Sequence, residues 1–130
     1  MATRILMTCS AAFLAALGLG ITFLPQELLV HLGVRAEGPI VLLVQVLGAS
    51  YLGGALLNWM TRGIIIGGIY GRPVAMANFF HFAVGSLALL RGMFALHFRA
   101  DIALVAAVYS VFAVWFGLVL FTHPREASPK

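Results

Sequence analysis

The chain has 130 residues, of which 62% are hydrophobic and 9% charged, with a formal net charge of +4. Water-soluble domains carry about 25% charged residues, so this composition excludes a soluble globular protein. It leaves one compact unit embedded in lipid, and a single cysteine, Cys9, excludes an intrachain disulfide and any CxxC redox or zinc motif.

Four apolar stretches, at about residues 5–24, 40–60, 74–90 and 102–121, dominate the chain. A hydrocarbon core about 30 Å thick needs around 20 residues in a helix rising about 1.5 Å per residue. Backbone groups in lipid must pair within their own segment, so each stretch is expected to be a helix. The expected fold is therefore all-α, a single integral membrane four-helix bundle over residues 1–130.

Span one follows Arg4 and resembles a secretory signal in its small residues. It is longer than a usual signal core and ends at Pro25-Gln26-Glu27 without a small-x-small cleavage site, so it reads as a retained helix. Cys9 reads as a small packing residue. Between spans one and two, Gln26–Gly33 has the apolar spacing of a short amphipathic helix at the interface. Gly33 is placed to end it, and Gly38-Pro39 to start span two.

Span two holds one stripe of inward character. Gly48, Tyr51, Ala55, Asn58 and Arg62 follow steps of three and four, so they share a face. Ala49/Gly53 and Ser50/Gly54 add two small-xxx-small pairs, which let helix backbones approach closely. Gln45 lies nearer the opposite end of that span. After it, residues 61–73 are glycine-rich, β-branched and bounded by Arg62 and Arg72. Two readings are open there: helix two continues through Ile66 to stop at Gly67-Gly68, or the segment is an irregular loop at the headgroups.

Pro73 opens span three. Its face of Asn78, His81, Gly85, Ala88 and Gly92 matches that of span two, which predicts a polar seam between the two helices. The helix is read as running on towards Phe98, with Arg91 snorkelling to the interface. Asp101 is placed to cap span four and complement its dipole. Residues 122–130 form a polar tail expected to be disordered.

With both termini on one side, that side holds Arg4, Arg62, Arg72, Arg125 and Lys130, and the other holds Arg35, Arg91 and Arg99. The positive-inside bias then puts both termini in the cytoplasm. Glu27, Glu37 and Asp101 fall outside, so the net charge gathers on the cytoplasmic face. Orientation and anionic lipid explain it better than nucleic acid, which is not an expected partner.

The candidate binding residues are Tyr51, Asn58, Arg62, Asn78 and His81, and the candidate helix-packing residues are Gly48, Ala49, Gly53, Gly54 and Gly85. The plainer reading of the polar set is interhelical glue, because uncharged amides and tyrosine are ordinary seam residues. His81 is the exception, since an ionisable group within a span is expensive and often functional. His31, His97 and His123 lie at ends or in connections, so no metal, haem or other cofactor is expected. No Asp or Glu lies within a span, which argues against a cation-coupled carrier of the small multidrug exporter kind. No nucleophile motif or phosphate-cradling glycine loop is present, so no catalytic residue is assigned.

The stretch Leu57-Asn58-Trp59-Met60-Thr61-Arg62, then Ile66-Gly67-Gly68-Ile69-Tyr70-Gly71-Arg72-Pro73, then Asn78 and His81-Phe82 with Gly85, resembles a family of small bacterial four-span proteins of unknown function. In span number, length and the Leu24-Pro25…Leu32-Gly33 pattern the chain also resembles the DoxX-like group and the ergosterol-biosynthesis scaffold proteins. The resemblance implies a bacterial cytoplasmic membrane and lends no catalytic residue. The first expectation for function is a non-catalytic accessory or scaffold subunit, meeting membrane lipids and either another membrane protein or a copy of itself. The second is a carrier for a lipid or small apolar molecule in the seam of spans two and three. The third is a membrane enzyme acting on a lipid or isoprenoid, with His81 as acid or base.

Overall fold

A computed structural model describes residues 2–64, 71–95 and 99–122. The described residues form five helices and no strand: α1 (Ala2–Phe23), α2 (Pro25–His31), α3 (Pro39–Thr61), α4 (Gly71–Ala95) and α5 (Ala100–Thr122). The fold class is all-α. Helices α1, α3, α4 and α5 are each long and apolar enough to cross a membrane, so the chain is an integral membrane protein.

Proline and glycine set the helix boundaries. Pro25 lacks an N–H, so α1 ends before it and α2 begins on it. Helix α2 closes in a Schellman motif: Val34 N–H donates to the Leu29 carbonyl and Gly33 N–H to that of Val30, both at 2.9 Å. That motif needs a left-handed residue, and Gly33 supplies it with φ +75°. Gly38 (φ +62°) then turns the chain into Pro39, the first residue of α3. In α2, Pro25 and Leu29 are buried while Gln26, Glu27 and His31 are exposed, the amphipathic pattern expected.

Helix α3 stops at Thr61, with Arg62 as its cap and Gly63 in a turn. Of the two readings open for this segment, a helix continuing through Ile66 is not the one found, because the chain turns within the first two residues after Thr61. The Gly67-Gly68 part of that reading lies outside the described residues, as do His97, the run to Phe98 and the tail from His123. Helix α4 begins two residues before Pro73, which its first turn tolerates since no intrahelical donor is needed there. Asp101 sits in the first turn of α5 as expected, but its carboxylate accepts from Arg99 in two bonds of 2.8 and 3.2 Å. Cys9 is exposed rather than packed.

The chain divides into two compact units, Met7–Arg62 and Met1–Leu6 with Gly63–Lys130. In the first, α1 and α3 pack antiparallel through small residues. A Cβ on Gly48 would lie 2.8 Å from the Thr22 nitrogen and 3.1 Å from the Gly18 carbonyl oxygen. A Cβ on Gly18 would meet the Leu52 side chain at 2.9 Å, and Gly54 lies opposite Leu14. Missing side chains thus let two backbones touch, which is the main attraction available between helices in lipid. The close approach buries the Thr22 hydroxyl oxygen with no hydrogen-bond partner among the described residues.

In the second unit α4 and α5 pack around aromatic rings. Phe82 is fully buried and stacks on Phe112 and Phe116, with centroids 4.8 and 5.8 Å apart. Gly85 gives room to the Tyr109 ring and Gly117 to that of Phe79. Phe79 in turn meets Phe121 edge-on at 6.1 Å.

Candidate functional site

Tyr51, Asn58 and Arg62 belong to the first unit, and Asn78 and His81 to the second. Asn58 is fully buried on α3, one helical turn past the buried Ala55. Its amide Nδ2 donates to the Ser10 hydroxyl of α1 at 3.0 Å, and that hydroxyl donates to the Met7 carbonyl at 3.1 Å. Tyr51 is half-buried. Arg62, also half-buried, lies over the Trp59 ring, 3.8 Å from its centroid, and donates to the Trp59 carbonyl at 2.5 Å. The guanidinium and indole together form an anchor suited to a membrane interface.

Asn78 is buried, and its amide donates back to the Val74 carbonyl at 2.9 Å. His81 is exposed, with Nε2 3.4 Å from the hydroxyl of the buried Tyr109. The polar bonds of Asn58 and His81 described here run to α1 and α5, through Ser10 and Tyr109, neither of which the sequence reading selected. A signal for the first existed: Ser10, Leu14, Gly18 and Thr22 step by four, a small and polar stripe on α1. For the second the signal was thinner, a single tyrosine beside Ser110 in a span four that is otherwise apolar.

Among the packing candidates, Gly48 is buried against α1, while Gly85, beside the Tyr109 ring, and Gly54 are half-buried. Ala49 and Gly53 are exposed, and a Cβ on Gly53 would meet nothing within 4 Å. Gln45 and Ser50 on the same helix are exposed too, the Ser50 hydroxyl donating to the Val46 carbonyl at 3.1 Å. Along α4 and α5 a shallow apolar groove of about 380 Å³ has Phe79, Gly117 and Phe121 in its wall.

Among the described residues no three of His, Cys, Asp and Glu gather as a metal centre requires. Chemically, the two units offer hydrogen bonding within a low-dielectric medium. Comparison with protein-family models, with curated proteins and with solved structures finds no match to this chain.

The Asn58–Ser10 bond is open to a direct test. Asn58→Leu and Ser10→Ala should each destabilise the α1–α3 pair by about 1 kcal/mol, with about 0.6 kcal/mol of coupling in the double variant. Denaturation in mixed detergent micelles measures it, and strict additivity would show that the two groups do not share a bond.

Proposed function

We propose that the protein is a non-catalytic subunit of a membrane assembly, associating laterally with another membrane protein or a second copy of itself through the exposed face of α3. The observation that carries this reading is Gln45. Its amide is exposed on a membrane-length helix, and no group among the described residues pairs with it. An amide facing hydrocarbon without a partner is costly, and a neighbouring helix supplies what lipid tails lack. Gln45, Ala49 and Gly53 recur at steps of four, so a partner that reaches the amide also finds a flat, small-residue surface. Only 11% of the apolar window of α3 is buried, against 33% for α1 and for α5, which leaves most of that helix available.

The arginine distribution supports an orientation with both termini in the cytoplasm, in keeping with a bacterial inner membrane. Lipid carriage in a seam of spans two and three has less support, because the bonds described for Asn58 and His81 run to α1 and α5.

Extraction from native membranes in a mild detergent tests the proposal. The unaltered protein should run as a particle heavier than one chain, of defined protein composition. Gln45→Leu and Gly53→Leu should each weaken that association about tenfold while keeping full helicity. A single-chain particle for the unaltered protein, carrying lipid alone, would overturn it.

A further inference from the structure

The end of α3 holds a cation in a fixed place. That helix has 23 residues, about 34 Å of rise, against a hydrocarbon core of about 30 Å. Its last residues therefore reach the level of the lipid headgroups. Trp59 is exposed there, and the Arg62 guanidinium carbon lies 3.8 Å from its ring centroid. Nη1 donates to the Trp59 carbonyl at 2.5 Å. Two contacts thus restrain a flexible side chain, and Arg62 is half-buried where Arg35, Arg72 and Arg91 are exposed.

The charge held in this way is unmatched. Glu27 and Glu37 precede α3, at its opposite end, and Asp101 pairs with Arg99. No acidic side chain among the described residues pairs with Arg62. The last turn of α3 contributes about half a negative charge from its free carbonyls, which one full guanidinium charge exceeds. With Nη1 turned to the Trp59 carbonyl, the edge of Nε–H and Nη2–H remains, two parallel donors in the fork that a phosphate accepts. At this depth the phosphates are those of phospholipids. A phosphatidylcholine headgroup carries its own choline cation and is neutral overall. A phosphatidylglycerol headgroup has no internal cation, so the attraction to a fixed arginine is not offset.

We propose that Arg62, laid flat on Trp59, is a binding site for the phosphate of an anionic phospholipid at the end of α3. The site lies nine residues beyond Gly53, about 14 Å along the axis, and so does not depend on lateral association at Gln45.

The test uses the full chain with Trp115→Phe, which leaves Trp59 as the single tryptophan. It is reconstituted in mixed bilayers of phosphatidylcholine and phosphatidylglycerol, with bromine on the acyl chains of one lipid and then of the other. Brominated chains quench an indole beside them, so the two measurements give the preference of the Trp59 site for either lipid. The protein should favour phosphatidylglycerol about fivefold, the share of one arginine near a membrane surface. Arg62→Gln should abolish the preference. Arg62→Lys, which keeps the charge without the flat fork, should retain about twofold. Arg35→Gln, at the opposite end of α3, should leave it in place, and helicity by circular dichroism should be the same for all. Inorganic phosphate added at constant ionic strength should change nothing. Equal quenching by the two lipids in the Arg62 protein would overturn the site, and so would a preference that survives Arg62→Gln. Loss of the preference in inorganic phosphate would also overturn it, by assigning the guanidinium to a soluble anion.

Discussion

Gly48→Leu should separate α1 from α3 and destabilise the first unit by at least about 3 kcal/mol, the upper end for overpacking. The reason is the nature of the obstacle. A new Cβ at position 48 would stand 2.8 Å from the Thr22 backbone nitrogen and 3.1 Å from the Gly18 carbonyl oxygen. A long side chain could rotate aside, but the backbone of a packed helix cannot yield without opening the interface along its length. Asn58 and Ser10, further along the same interface, would lose their 3.0 Å bond as well. Gly53→Leu is the matched comparison, because that Cβ would meet nothing within 4 Å. It should leave the unit's stability within about 1 kcal/mol. Unfolding midpoints of the two variants in mixed micelles measure the difference, and equal midpoints would refute the close contact at Gly48.

Phe82→Ala should be the most damaging change in the second unit, at about 2–3 kcal/mol. The ring is fully buried and touches His81, Tyr109, Phe112 and Phe116. Comparable truncations in water-soluble cores cost about 3–5 kcal/mol. Lipid tails solvate exposed apolar surface nearly as well as a protein interior does, so the transfer part of that figure largely drops out. What remains is lost ring stacking and an unfilled cavity. Phe80→Ala, at a ring that is 57% exposed one residue away, should cost well under 1 kcal/mol. Thermal unfolding in one detergent compares the pair, and similar losses would place Phe82 outside the core.

The sequence placed the four long helices within a few residues, because length and hydropathy respond to the bilayer rather than to any neighbour. It also placed α2, where Pro25 and Gly33 punctuate the chain. Helix α4 runs past the apolar stretch that ends at Leu90, as the reading towards Phe98 had it, and is described as far as Ala95, since neither Arg91 nor Gly92 obliges a helix to stop. Partner choice was harder to read. In water an apolar stripe marks the buried face, but α3, α4 and α5 are apolar around their whole circumference, so only small and polar residues mark a face. Gly48, Ala55 and Asn58 shared a predicted stripe and are buried together on α3. Periodicity gives a face without naming the helix opposite it, so Ser10 as the partner of Asn58 was not foreseen. Nor was the exposure of His81, which its place on the face matched to span two had turned inward.

Topology mapping by single introduced cysteines bears most directly on the claim that four helices cross the bilayer. In a Cys9→Ser background, cysteines replacing Thr3, Val34, Gly63, Ala100 and Ser128 would be labelled with a membrane-impermeant maleimide in intact cells and in opened membranes. Positions 34 and 100 should react from outside, and positions 3, 63 and 128 only once the membrane is opened. Reaction of positions 3 and 128 from opposite sides would mean an odd number of crossings and contradict the account.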